Sequence, residues 1–181
     1  MISRYLLEKD LNKPYFKNIC QMLIDKYDKK ALTQVTFGEV KPADKVIILT
    51  KDGPKIVRWG IDRLNGDGLI LSVNNEFINN RKEFNSDIEK RKCVFLTQGF
   101  YLFNDGKHLV RNDENYMHLA GFYNANDQAV IIDKSSSERI VDLAQRIPAI
   151  IKVNEVKNWL RGKQISIAQE YLEVVKVKAL D

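Results

Sequence analysis

Read from the N-terminus, the apolar positions change period several times. Tyr15, Phe16, Ile19, Met22, Leu23 and Tyr27 recur at helical spacing, which predicts an amphipathic helix with that stripe facing a core. Asn12 is placed to cap it, Pro14 fits an early helical position, and Lys29 and Lys30 suit the dipole at its far end.

From residue 34 the pattern turns to strands. Val35 to Phe37 leads to a loop at Lys41-Pro42. Lys45 to Thr50 is a β-branched run, and Lys55 to Trp59 is its hairpin partner across the turn Lys51-Asp52-Gly53-Pro54. A second turn, Asn65-Gly66-Asp67-Gly68, precedes a strand from Leu69 to Val73, and residues 74–89 read as loop and helix carrying Phe77, Ile78, Phe84 and Ile88.

The stretch "RKCVFLTQGFYLF", residues 91–103, has no charge after Lys92. Cys93 to Leu96 and Phe100 to Phe103 therefore read as strands buried on both faces, with Gly99 at a bend or a close backbone approach. Asn104-Asp105-Gly106 is a hairpin turn, and His118 to Tyr123 pairs with Ala129 to Ile132 around residues 124–127. Ser135-x-x-Glu138 has the form of a capping box ahead of a short helix through Ala144, broken at Arg146-Ile147-Pro148. Ala149 to Val153 is extended, Asn154 caps a helix with Val156, Trp159 and Leu160 on one face, residues 164–170 form another short helix, and 173–180 form a last strand. The sum is an α+β chain: a curled, barrel-like mixed/antiparallel β-sheet with peripheral helices, in a single domain over 1–181. Strand and helix do not alternate regularly enough for a doubly wound fold.

Composition adds limits. A chain of 181 residues, 44% hydrophobic and 29% charged, suits a soluble globular domain that hides about 70% of its unfolded surface. The longest apolar runs are far too short to span a bilayer. The start Met-Ile-Ser-Arg-Tyr lacks the basic and apolar regions of a signal peptide, so a cytoplasmic location is expected. Cys20 and Cys93 read as two small buried thiols with no disulfide. His108 and His118 sit in no metal-ligand pattern, so neither a metal nor a cofactor is expected. The formal net charge of +5 permits nucleic-acid binding without requiring it, because the basic residues are interleaved with acids. Ser135-Ser136-Ser137 has no adjacent base and is better explained by capping than as a nucleophile.

The order of segments carries more. Met1-x-x-Arg4-Tyr5 is followed by the amphipathic helix, Trp59-Gly60-Ile61, the polar Asn74-Asn75-Glu76, Arg91-Lys92-Cys93, Gly99-Phe100-Tyr101, Leu119-Ala120-Gly121 and Arg146-Ile147-Pro148. This succession resembles the SOS-response-associated peptidase (SRAP) family over nearly the whole chain. Its most specific parts are "RKCVFLTQGFYLF", similar to the family's R-R-C-x-x-P-A-D-G-F-Y-E-W, and "AQRIPAII", similar to H-D-R-M-P-V-I-L.

The resemblance implies a definite chemistry. Family members begin Met-Cys-Gly-Arg, and removal of methionine exposes a cysteine. Its amine forms a Schiff base with the aldehyde of an abasic site in single-stranded DNA, and its thiol closes a thiazolidine; the same cysteine releases a short leader in members that have one. An asparagine, a glutamate and a histidine shape that site. Residue by residue, this chain departs from the template. Ile2 stands at the cysteine, a residue before which Met1 removal is unfavourable. Ser72 falls near the asparagine of the family's N-A-R-x-E, Asn74 near its arginine, and Glu76 matches its glutamate. Leu102 stands at the glutamate of F-Y-E-W and Ala144 at the histidine of H-D-R-M-P, while Arg4, Gly99, Phe100, Tyr101, Arg146 and Pro148 match. Loss of nucleophile, carboxylate and imidazole together implies a pseudoenzyme, with Ile2, Ser72, Glu76, Leu102 and Ala144 as a vestigial pocket.

Three functions follow as expectations. In the first, the fold keeps a groove for single-stranded DNA contacted by Arg4, Asn74, Arg81, Lys82 and Arg146; Trp59, beside Gly60, is read as core rather than as a stacking residue. In the second, the chain is a structural or partner-binding protein without DNA contact. In the third, the Met1 amine retains reversible Schiff-base chemistry.

Overall fold

The computed structural model describes residues 2–76, 82–137, 140–165 and 172–177. Strand β1 (Tyr5–Leu7) leads into helix α1 (Pro14–Lys26), and a short 3-10 turn (Ala31–Gln34) follows. Strands β2 (Gly38–Val40), β3 (Lys45–Thr50), β4 (Gly53–Trp59), β5 (Ile61–Asp62), β6 (Leu69–Ile70) and β7 (Ser72–Asn74) come next. Helix α2 (Asn85–Lys90) precedes β8 (Lys92–Thr97), β9 (Gly99–Phe103), β10 (Lys107–Arg111), β11 (Met117–Tyr123) and β12 (Gln128–Ser135). The chain continues through β13 (Arg146–Pro148), β14 (Ile150–Ile151), α3 (Val156–Leu160) and β15 (Glu173–Val177).

One sheet has the order β15-β10-β9-β1-β2; a second runs β13-β12-β4-β3-β8-β11-β14, with β7 added beside β12. In the second sheet β12 also pairs with β11, which brings the path round into a ring of strands. The ring is not a closed barrel. β12 meets β4 in parallel only at Gln128 and Ala129, then leaves it to pair with β7 from Ile131 to Asp133.

The alternation of side chains across this curled sheet makes two cores. Cys93 and Phe95 of β8, Leu119 of β11, and Ala129 and Ile131 of β12 face inward to the large core, with Trp59, Phe100 and the buried side of α1. Val94, Ala120, Phe122, Val130 and Ile132 face the other way, against Phe84 and Trp159. The double-sided burial predicted for Cys93–Leu96 is thus present, and Phe100 to Leu102 are buried as well, but Phe103 at the end of β9 is 50% exposed, contrary to expectation; the mixed α+β architecture matches expectation.

Gly99 and Gly121 are where strands approach most closely. A Cβ on Gly99 would lie 2.8 Å from the Val110 carbonyl oxygen, and one on Gly121 2.5 Å from that of Val130. Cys20 and Cys93 are free and buried, and Trp59 is fully buried. Among the described residues, no helix is long and apolar enough to cross a membrane.

Several local expectations are corrected. Helix α1 buries Phe16, Ile19, Cys20 and Leu23, while Tyr15, Met22 and Tyr27 are more than two-fifths exposed. The true stripe has spacing i, i+3, i+4, i+7, and the other three lie on its flanks. Lys13, not Asn12, is the N-cap; the Asn12 amide instead donates to Asp10 Oδ1. Val35 to Phe37 is not a strand, because the Val35 amide closes the preceding turn on the Leu32 carbonyl. Ser135 does not cap a helix. It is the last residue of β12, held opposite Arg146 in the ladder with β13, so Arg146-Ile147-Pro148 is a strand rather than a breaker. Residues 140–143 are turns. Glu155, not Asn154, precedes α3. Phe77, Ile78, Glu138 and most of the helix expected at 164–170 lie outside the described residues, as does the end of the last strand beyond Val177.

Candidate functional site

Strand pairing assembles a polar cluster at one end of β12. Parallel pairing sets Ser72 and Asn74 of β7 opposite Ile131 and Asp133, and antiparallel pairing sets Arg146 of β13 opposite Ser135. Asp133, only 6% exposed, becomes the hub. Ser72 Oγ donates to Asp133 Oδ2 at 2.7 Å, and Arg146 Nε donates to Asp133 Oδ1 at 2.5 Å. Arg146 Nη2 also reaches Glu76 Oε2 at 2.7 Å and the Asp133 carbonyl at 3.1 Å. Ser135 Oγ donates to Glu76 Oε1 at 3.2 Å, and Asn74 Oδ1 accepts the Glu76 amide at 2.9 Å.

This cluster is built to hold charge in place. The hydrogen bond from Arg146 holds the Glu76 carboxyl below its usual range. Burial alone would lower the Arg146 value, but the bonds to Glu76 and Asp133 outweigh it and raise it. Both Asp133 carboxylate oxygens are engaged, one by the Ser72 hydroxyl and one by Arg146, so the cluster reads as a structural tie between β7, β12 and β13.

The side chains of the apolar candidates take no part in this cluster. Ile2 is 1% exposed and Leu102 3% exposed, both within the large core. Ala144 packs against that core beside Leu143 and the buried Ile140. Two ties draw their segments together. The Tyr101 amide donates to the Arg4 carbonyl at 3.0 Å, joining the N-terminal segment to β9. Asn104 Nδ2, in the hairpin after β9, donates to the Asp142 carbonyl at 2.7 Å, joining that hairpin to the turn before Ala144. Ser136 Oγ then donates to the Ala144 carbonyl at 2.5 Å.

Arg4 belongs to a separate group. Its Nη1 meets Glu39 Oε1 at 2.5 Å, and its guanidinium lies 5.4 Å from the Phe103 ring centre. Lys107 also pairs with Glu39 and sits 4.3 Å from the Tyr101 ring centre. Burial alone would raise the Glu39 carboxyl, but the bonds from Lys107 and Arg4 prevail and lower it. Lys82 is exposed at the start of a 3-10 turn. Met1 and Arg81 lie outside the described residues.

The expected residues thus fall into distinct sets. Ser72, Asn74, Glu76 and Arg146 come together, and Arg4 is tied to Glu39. Sequence reasoning missed Asp133, Glu39 and Lys107. For Asp133 a signal existed, since it is the first charge after the apolar run "AVII". For Glu39 and Lys107 there was none, because they are brought together by the pairing of β1 with β2, of β1 with β9 and of β9 with β10. A cleft of about 640 Å³ near Tyr27, Lys45, Arg58 and Asp127 includes none of the expected site residues. No group of three or more His, Cys, Asp or Glu among the described residues is arranged to hold a metal ion.

Comparison with solved structures bears on the fold. A protein from Bacteroides thetaiotaomicron superimposes with a TM-score of 0.72 at 15% identity, over 97% of this chain and 91% of that one. A protein from Bordetella bronchiseptica gives 0.70 at 13% identity, over 98% of this chain and 100% of that one. A phage-related protein from the same organism gives 0.66 at 11% identity, over 98% of this chain and 94% of that one. No curated protein matches. The model of one family, described as SOS response associated peptidase (SRAP), matches residues 2–180, and on that match the chain belongs to the SRAP family.

Proposed function

We propose that this chain is an SRAP protein without the family's covalent chemistry, kept as a weak binder of single-stranded DNA. The observation that carries the loss of chemistry is the burial of Ile2 and Leu102 in one apolar core with Ala144 packed against it. Isoleucine, leucine and alanine offer no nucleophile, no acid and no base. Their burial contributes stability that a hydrated catalytic pocket would forgo.

DNA contact rests on the family and on the formal net charge of +5. Arg4 and Arg146 contribute little to it, since Glu39 holds one and Asp133 and Glu76 hold the other. The contact falls to exposed lysines such as Lys82. Binding of this kind is shallow in its salt dependence: about three phosphate contacts give a slope near −2 in log affinity against log salt. Fluorescence anisotropy of a labelled single-stranded oligonucleotide, titrated from low to physiological salt, tests it. Measurable binding that Lys82→Ala weakens supports the reading; no binding at low salt overturns it.

The pairing of both arginines favours a second reading, a structural or partner-binding protein without DNA contact. Absence of binding in the same titration, with the fold intact, is its expected outcome.

A further inference from the structure

We infer that the cleft at the end of α1 binds a small zwitterion with an apolar side chain, of the amino-acid or short-peptide kind, between Lys45 and Arg58 on one wall and Asp28 on another. The cleft holds about 640 Å³ and is lined by Tyr27, Asp28, Ala31, Lys45, Ile56 and Arg58 among others, a volume within the range of small-molecule sites. One wall is the β3–β4 hairpin. Another is the chain that leaves α1, where Tyr27 is the helix C-cap and Asp28 and Ala31 follow it.

The hairpin wall supplies the first sign of a ligand. The β3–β4 register sets Lys45 directly opposite Arg58, so both side chains leave the same face of the sheet. Like charges so placed repel each other, whereas an anion held between them is drawn to both. Neither cation is used up by the fold. Lys45 is exposed, and its ammonium donates to Gln34 Oε1 at 2.8 Å, with no carboxylate partner among the described residues. Arg58 gives Nη2 to Asp62 Oδ1 at 2.6 Å, which leaves other donors of its planar fork for a second oxyanion.

The wall after α1 supplies the second sign. Asp28 is exposed, accepts the Lys30 backbone amide at Oδ1 at 2.6 Å, and has no cationic partner among the described residues. It follows the C-terminal end of α1, whose partial negative charge also favours a cation. The remaining charged lining residue, Asp127, is met by Lys55 at 2.9 Å. The two lining charges without an ion pair, Lys45 and Asp28, are thus of opposite sign and stand on different walls. Asp28 would repel a simple anion, and Lys45 and Arg58 a simple cation; a molecule that carries both charges suits both walls. Tyr27 is 44% exposed and Ile56 half-buried, so an apolar side chain finds cover against them. The inference goes beyond the proposed function and does not depend on DNA contact.

Phenylalanine and the dipeptide phenylalanyl-phenylalanine, titrated separately into the full chain and followed by NMR of the backbone amides, test it. Saturable shifts centred on Tyr27, Asp28, Lys45 and Arg58 are expected with at least one probe, and the tighter of the two tells a free amino acid from a peptide. Removing one charge from the tighter probe, by N-acetylation or by conversion of its carboxylate to an amide, should weaken binding about tenfold in each case. Lys45→Gln and Asp28→Asn, both at exposed positions, should weaken it by about as much. Asn at position 28 keeps an acceptor for the Lys30 amide, so the turn is preserved. Cleft resonances unmoved by both probes, an affinity that survives the loss of either charge, or one that either variant leaves unaltered overturns the inference. Each of these results leaves DNA binding in place, and failure of the oligonucleotide titration sinks only the proposed function.

Discussion

Arg146 donates from Nε to Asp133 Oδ1 at 2.5 Å across the β12–β13 ladder, and the Asp133 side chain is only 9% exposed. Without the arginine, Asp133 would keep the Ser72 hydroxyl as a side-chain partner but lose its counter-charge. Breaking a pair of this kind leaves an uncompensated carboxylate in a dry setting. Arg146→Ala is therefore expected to cost about 2–3 kcal/mol, less than a fully buried pair because the Arg146 side chain is 26% exposed. Urea denaturation reads this directly. In a double-mutant cycle, adding Asp133→Ala should recover part of the loss; full additivity would mean that the pair is not coupled.

The same chain should lose stability as pH falls from neutral. Burial depresses the His118 value from 6.5 to about 4 in the folded state. Between those values the unfolded chain binds the proton more readily, so stability is fully present above about pH 6.5 and drains away toward pH 4. For a side chain this buried, the loss is on the order of 3 kcal/mol. Glu76, held low by Arg146, adds a further loss in the same direction at lower pH, below the ordinary carboxylate range. Denaturation at pH 7.5 and at pH 5 should show a gap for the natural chain that narrows in His118→Gln; an equal gap in both would contradict the assignment to His118.

Placing a carboxylate at position 102 should be harmful. Leu102 is 3% exposed in the large core, and a glutamate there meets hydrocarbon rather than a polar pocket. Leu102→Glu is expected to cost more than about 3 kcal/mol at pH 7 and less at pH 4, where the carboxyl is neutral. Thermal melts at the two pH values, each referenced to the natural chain, separate these outcomes. A neutral effect at pH 7 would indicate a solvated pocket.

Gly121 tests the close approach of β11 to β12. A methyl group there would lie 2.5 Å from the Val130 carbonyl oxygen and 2.7 Å from Phe95 Cε2. Backbone cannot yield as a flexible side chain does, so Gly121→Ala is expected to cost roughly 2–3 kcal/mol. The denaturation midpoint of the variant checks it.

How much of this was legible in the sequence follows from what each feature depends on. The hairpin around Asn104-Asp105-Gly106 and the buried strands β8 and β9 were readable because turn chemistry and apolar runs are local. The family was readable because its segments keep their order. Tyr15 and Met22 misled, since a helical period fixes spacing but not which flank of the stripe meets the sheet. Ser135 misled because the pattern of a capping box is short, and the ladder with β13 claimed the residue first. The ion-paired hub at Asp133 depends on β7, β12 and β13 meeting, which only the three-dimensional pairing reveals.

The most direct measurement incubates the chain with a labelled single-stranded oligonucleotide bearing one abasic site, with and without borohydride, and resolves the products on a denaturing gel. On the proposed reading, in which Ile2, Leu102 and Ala144 stand in place of reactive groups, free oligonucleotide alone is expected in both lanes, at protein concentrations where non-covalent binding is saturated. A denaturation-stable protein–DNA band without reductant, or one trapped by borohydride through an N-terminal amine, would contradict it.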